Sequence, residues 1–276
     1  MSDEGGAPTV RDVSDWWSTA VSRIEPNVIE LRGRPIQDLI GSLSFAGVVW
    51  LLLRGDLPAP GEERLLDAAL VSAVDHGPHA PSIAVARIAA TCGVGLNNAV
   101  ASGVNTLGDV HGGAGEQCMA LLAEVARRTA GGEPTDRAAA SVVDEWRARC
   151  TYVPGFGHRF HTVDPRRDPL LRQVEAAVAD GVVGGEYLNA ATAVERHLAS
   201  GRSRAVPINI DGCTAVVYGE LGFPAPLARG LFALSRSVGI LAHAWEETGQ
   251  GRRNKGPMPP SILPTYLGTA VPGHQS

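Results

Sequence analysis

Apolar residues recur along this chain with the spacing of helices, and no run alternates long enough to make a convincing strand. Stretches rich in Ala, Leu and Val occupy 36–53, 63–74, 82–91, 97–107, 114–129, 135–150, 169–179, 187–198 and 225–247, and a further helix begins near Gly212. Pro81, Pro134 and Pro224 stand where helices begin, and Gly93, Gly131 and Gly201 where they end. The pattern predicts an all-α protein. With only 5% aromatic residues, its core must come from close packing of small-residue helix faces. The stretch 153–169, dense in Gly, Pro, His and Arg, is the longest irregular one and a natural wall for a ligand site. From Gly249 onward the chain is polar, basic and Pro-rich, which suggests a terminal arm packing on something.

Three short segments share one punctuation: Gly108-Asp-Val-His-Gly-Gly-Ala-Gly-Glu116, Val153-Pro-Gly-Phe-Gly-His-Arg-Phe-His161 and Pro207-Ile-Asn-Ile-Asp-Gly212. In each, a titratable side chain (His111, His158, Asp211) is flanked by glycine or proline, which loosen or fix the backbone around it. Two imidazoles and a carboxylate suffice to move protons on and off carbon beside a carbonyl, so the chain reads as an enzyme.

Composition removes several other classes. At 276 residues the chain can bury one large domain, or a large and a small one. Net charge is −5 with no basic tract, which argues against nucleic acid or an anionic membrane as partner. Residues 1–13 lack the basic and apolar regions of a signal peptide. The greasiest runs, 44–53 and 226–245, are respectively too short to span a bilayer and interrupted by Arg229 and Arg236. Cys92, Cys118, Cys150 and Cys213 are far apart and form no CxxC pair, so they are expected to be reduced core residues of a cytoplasmic protein. Two His-x-x-His pairs, His76/His79 and His158/His161, together with Asp211 imitate a metal site. Pro78 and Pro81 break up the first pair and the second lies in an irregular loop, so a metallohydrolase is the weaker enzymatic alternative and no metal ligand is assigned.

The ordered motifs Arg54-Gly-Asp-Leu-Pro58, Asp75-His-Gly-Pro78 with Ser82, His111-Gly-Gly-Ala-Gly-Glu116, Gly155-Phe-Gly-His-Arg159, Asp164-Pro-Arg166, Asn209-Ile-Asp211 and Leu234-Ser-Arg-Ser-Val-Gly239 carry a resemblance. From about Gly33 to the C-terminus the chain resembles the citrate synthase superfamily, most closely its citryl-CoA lyase branch, which includes the C-terminal module of ATP-citrate lyase. The resemblance implies an all-α citrate synthase-like fold. A large helical domain (1–112 and 219–276) and a small one (113–218) would flank the active-site cleft, in a homodimer or a higher homo-oligomer. It implies carbon–carbon bond chemistry between acetyl-CoA and a 2-oxo acid such as oxaloacetate, with a coenzyme A thioester as cosubstrate and no bound cofactor.

On the same resemblance, Asp211 is the base, His111 donates to the thioester oxygen, and His158 donates to the oxygen on the other reacting carbon. Arg166, Arg236 and His76 bind the substrate carboxylates, a task suited to guanidinium because its fork holds a carboxylate by two parallel hydrogen bonds. Pro154, Gly155, Phe156 and Gly157 approach the coenzyme A through their backbone, with Arg159 a candidate for its phosphates. Three departures separate the chain from typical citrate synthases: a missing N-terminal helical region, Gly212 after Asp211, and Gly77-Pro78 after His76. They favour citryl-CoA cleavage, while synthesis of citrate remains the alternative, as does a non-catalytic CoA-binding subunit. Cleavage would need an upstream source of citryl-CoA, such as a separate CoA-ligase subunit. Among Arg252, Arg253 and Lys255 the sequence does not select the cation that the family supplies across its dimer.

Plainer readings exist for several of these residues. Asp211 could only cap its helix, Arg166 could pair with Asp164 or Asp168, Arg236 with Glu246 or Glu247, and His76 could cap a helix end. His197, His243 and His274 read as satisfied core or surface histidines, and Arg202-Ser-Arg204 as a solvated turn.

Overall fold

The computed structural model describes residues 10–150, 152–158, 161–201 and 206–268. Twelve helices dominate the described residues. In chain order the elements are α1 (Val10–Trp16), β1 (Ser22–Glu25), β2 (Val28–Leu31), β3 (Arg34–Pro35), α2 (Ile36–Leu39), α3 (Phe45–Arg54) and α4 (Pro60–Ala73). There follow α5 (Pro81–Thr91), α6 (Leu96–Val104), α7 (Ala114–Ala130), α8 (Thr135–Arg147), α9 (Arg167–Ala179), α10 (Glu186–Ala199), α11 (Ile210–Glu220) and α12 (Ala225–Gly249).

The helical expectation holds, and the structure adds at the N-terminal edge three short strands in an antiparallel meander of order β1-β2-β3. Its register pairs Ser22 with Leu31 and Glu25 with Val28. The strands are four residues or shorter, with Ile24 and Ile29 turned outward, so no alternation of useful length exists to be read. Arg32 ties the meander to the helices by donating from Nη2 to the Leu52 carbonyl at 2.7 Å. A single helix over 36–53 is also corrected. Gly41 turns left-handed (φ 83°) and Ser44 accepts from the Gly47 N–H at 3.0 Å, so its hydroxyl caps a new start for α3.

The helix starts and stops lie where proline and glycine place them. Pro81 is the first residue of α5, Pro134 and Pro224 cap α8 and α12, and Gly131 closes α7. The centre of the core is α11. Its residues from Gly212 to Gly219 are all buried, as expected of a helix apolar on every face, and α4, α7, α9, α10 and α12 surround it. A helix packed on all sides holds its first turn rigidly, and Asp211 stands in that turn. Of the four cysteines, all free, Cys118 and Cys213 are buried as expected, but Cys92 and Cys150 are exposed at helix ends. Among the described residues no helix is long and apolar enough to cross a membrane.

Candidate active site

Asp211 is held by the segment before it. Asn209, with extended backbone, accepts the N–H groups of Asp211 (3.0 Å) and Gly212 (3.2 Å) on its side-chain oxygen, so Asn209 is the N-cap of α11. The capping reading of Asp211 is thereby corrected, since its carboxylate is not engaged in the cap. Sequence alone did not discriminate the two because both residue types cap well and differ here only in backbone dihedrals.

The 153–157 loop packs directly on this start. Phe156 and Ile208 form an antiparallel bridge, Asn209 N–H donates to the Gly155 carbonyl at 2.9 Å, Gly157 N–H to the Pro207 carbonyl at 2.7 Å, and the Asn209 amide to the Gly157 carbonyl at 2.6 Å. Gly155 (φ 79°) lies so close that a Cβ there would fall 2.8 Å from Gly212 Cα, and one on Gly212 would strike the Gly155 carbonyl oxygen. These glycines are therefore a matched pair. From the far side, Glu195 accepts the Ile208 N–H at 2.8 Å and is itself gripped by Arg167.

The two imidazoles have opposite tautomers. His111 Nε2 accepts the Ser82 backbone N–H at 3.2 Å and lies 3.0 Å from the Ser82 hydroxyl, which leaves the ring proton on Nδ1. Ser82 belongs to the first turn of α5, whose positive end also disfavours an imidazolium. His158 Nδ1 accepts the His161 N–H at 3.1 Å, which puts its proton on Nε2, 4.0 Å from the Asp164 carboxylate. Burial first, then the Arg236 charge, lowers the pKa of His111, while burial and His161 lower that of His158. Both are neutral donors near pH 7. Asp211 moves the other way: burial raises its pKa against the opposing pull of Arg236 and Arg166.

The two arginines differ. Arg166 grips the buried Asp164 with Nε (3.0 Å) and Nη2 (2.9 Å), so its pairing with Asp164 is real. Burial works against the Asp164 anion, but these bonds outweigh it and hold its pKa below the usual range. Arg236 is only 4% exposed, lies over the Phe232 ring and donates Nε to the Ala73 carbonyl at 3.0 Å. Among the described residues no carboxylate forms an ion pair with it. The alternative pairing with Glu246 or Glu247 is corrected: both lie on the same helix about 15 Å farther along its axis, where Arg87 holds them. Asp211 and Asp75 act on the Arg236 charge only through space, with no ion pair, and burial still lowers its pKa, so this position favours an incoming anion.

His76 completes the cluster, its ring edge-on to that of His158 at 5.7 Å, with its pKa lowered by burial and by Arg166 and Arg236. The structure thus brings together His76, His111, His158, Arg166, Arg236 and Asp211. The 154–157 segment borders them, but its Gly155 and Gly157 carbonyls and Gly157 N–H are spent on 207–209. Arg159, Arg202, Arg204 and His274 lie outside the described residues. Among the described residues no three His, Cys, Asp or Glu side chains gather as metal ligands, so the His-x-x-His pairs do not combine with Asp211.

The chain is similar to known proteins. The family described as citrate synthase, C-terminal domain, matches residues 58–257. The citryl-CoA lyase of Hydrogenobacter thermophilus is 31% identical, superimposes with a TM-score of 0.81, and is matched over 92% of this chain and 96% of its own. An ATP citrate lyase of Methanosaeta concilii in complex with (3S)-citryl-CoA shares the fold at 21% identity (TM-score 0.76; 95% of this chain, 43% of that one). The citrate synthase of Haloferax volcanii is 29% identical over 212 residues, 76% of this chain and 53% of its own. The chain spans about half the length of the curated relatives it matches. This chain belongs to the citrate synthase family.

Proposed function

We propose that the chain is a citryl-CoA lyase, cleaving citryl-CoA reversibly to acetyl-CoA and oxaloacetate. The observation that carries this reading is the convergence of a buried, unpaired Arg236 with one carboxylate of raised pKa and two neutral imidazoles of opposite tautomer. The unpaired guanidinium takes a substrate carboxylate. Arg166 and His76 take the other free carboxylate of citryl-CoA, with Arg166 already paired to Asp164 and so the weaker clamp.

In cleavage, His158 and the carboxylate clamps orient the tertiary hydroxyl. Its proton passes to water as the carbon–carbon bond breaks, and this loss balances the proton that Asp211 takes from solvent before each turnover and delivers to carbon. The acetyl fragment is left as a thioester enolate, stabilised by the Nδ1–H of His111. Asp211 in its protonated form returns a proton to the methylene carbon; as a carboxylate it removes that proton in the reverse direction. The raised pKa makes its protonated form more available than that of an ordinary carboxylate, as delivery of a proton requires. His158, Arg166 and Asp211 come from 113–218, and His76, His111 and Arg236 from the remainder, so movement of one part against the other would assemble the site and exclude water.

The lyase reading is supported over citrate synthase by the greater similarity in structure to a citryl-CoA lyase (TM-score 0.81, 31% identity) than to the citrate synthase of Pyrobaculum aerophilum (0.65, 25%). The site uses only side chains and the coenzyme A thioester. The 154–157 backbone groups not spent on 207–209 would line the thioester arm. An apolar stripe on α12 (Leu234, Val238, Leu241, Trp245) and the exposed arm residues Leu263 and Tyr266 fit burial in a homodimer. Lys255 is engaged by Glu247, so Arg252 and Arg253 are the cations the arm can offer a second copy.

The deciding assay supplies (3S)-citryl-CoA and follows oxaloacetate and free thiol separately. Oxaloacetate without free thiol is the expected result; free coenzyme A with citrate would make the chain a synthase. Arg236→Met is expected to raise the KM for the carboxylate substrate about a hundredfold, the scale of a lost charged hydrogen-bond pair. An unchanged KM would remove Arg236 from the substrate site.

A further inference from the structure

A second cluster of polar groups lies behind the site and joins it to the C-terminal arm. Arg87 Nη1 lies 3.1 Å from His243 Nδ1. A guanidinium only donates, so the imidazole proton is on Nε2, facing the two Asp75 carboxylate oxygens at 3.3 and 3.4 Å. Asp75 also accepts the Gly77 N–H at 3.2 Å, and the Gly239 N–H donates to the Val74 carbonyl at 3.2 Å. Two points one turn apart on α12, Gly239 and His243, therefore fix the loop that carries His76. A Cβ on Gly239 would fall 2.9 Å from the Asp75 carboxylate, so the fit is close.

Arg87 meanwhile pairs with Glu246 (2.6 Å) and with the fully buried Glu247 (2.5 Å). The second Glu247 partner is the Lys255 ammonium at 2.9 Å, at the root of the arm. The Lys255 and Asn254 N–H groups bind Thr91 at the end of α5. From arm to site the charges alternate: Lys255, Glu247, Arg87, then His243 and Asp75.

We propose that His243 is a positioning residue for the His76 loop, and that the Lys255–Glu247–Arg87 chain makes this positioning depend on the anchored arm. The inference rests on the reading of His76 as a carboxylate-binding residue. It is tested with His243→Leu, His243→Gln and Lys255→Met in the full chain, by hydrogen exchange over 74–80 and by kinetics in the condensation direction.

His243→Leu is expected to raise exchange over 74–80 at least tenfold, and to raise the KM for oxaloacetate by a similar factor with the KM for acetyl-CoA within twofold. His243→Gln, which can present an N–H near the Nε2 position, is expected to restore both. Lys255→Met is expected to shift them in the same direction by a smaller factor. Unchanged exchange in His243→Leu, or raised exchange with an unchanged oxaloacetate KM, would overturn the positioning role. Unchanged exchange in Lys255→Met would overturn the link to the arm. Absence of turnover in the unaltered protein would remove the functional reading instead, while the exchange data still decide what holds the loop.

Discussion

Asp211→Asn is expected to lower turnover by about 10²–10⁴-fold, the usual contribution of a general acid–base group, in a protein that remains folded and still binds coenzyme A. Asparagine preserves the shape of the side chain, and the α11 cap is untouched because Asn209 supplies it. The variant is also expected to be more stable at neutral pH. Burial raises the Asp211 pKa, so the folded chain holds that proton more tightly than the unfolded chain does. The group's favourable contribution is complete below its unfolded pKa of about 3.9 and is lost as pH rises through the higher folded value. Above that window the buried carboxylate is a cost, which asparagine removes. The melting temperature of the variant should therefore exceed that of the unaltered protein at pH 7, and the gap should close toward pH 4. In the unaltered protein, the acid limb of kcat/KM for condensation should lie above the usual carboxylate range. Full turnover in Asp211→Asn would exclude the carboxylate from the chemistry.

Gly212→Ala tests the site's mechanical support. The added methyl would strike the Gly155 carbonyl oxygen and fall 2.5 Å from Ile208 Cγ1. Neither neighbour is free to move, because Gly155 is bonded to Asn209 and Ile208 to Glu195. Overpacking of this kind costs about 1–3 kcal/mol, or about 2–4 °C in melting temperature per kcal/mol for a chain of this size. The larger effect is expected in the rate, since displacing a reacting group by about 1 Å can cost 10²-fold. Gly230→Ala on α12, where an added Cβ meets nothing within 4 Å, is the control. It should gain up to about 1 kcal/mol from helix propensity and leave the rate unchanged. If Gly212→Ala kept both stability and turnover, the close fit between loop and helix would have no mechanical role.

Much of this was legible in the residues. Helix starts and stops follow from local chemistry, because proline fixes φ and glycine tolerates the left-handed backbone after a helix. His111, His158 and Asp211 stand out because glycine and proline crowd around each of them. The meander at 22–35 was not legible, since its strands are too short and too open on one face to leave a period. The break between α2 and α3 was missed because the apolar spacing runs through it, and only the left-handed Gly41 and the Ser44 cap interrupt the helix.

The sequence by itself determined the inventory: which titratable groups exist, which backbone positions bend, and which segments become helices. Only the tertiary structure decided how those groups are partnered. Arg236 forms no ion pair among the described residues, while Arg87, from another helix, takes Glu246 and Glu247. The proton sits on Nδ1 of His111 and on Nε2 of His158 because different backbone N–H groups reach the opposite nitrogens. His243, unremarkable in sequence, meets Asp75 across 168 positions of chain. Ion pairs, tautomers and pKa shifts arise from competition among neighbours within a few ångströms, and those neighbours are chosen by packing, over distances that no local pattern of residues records.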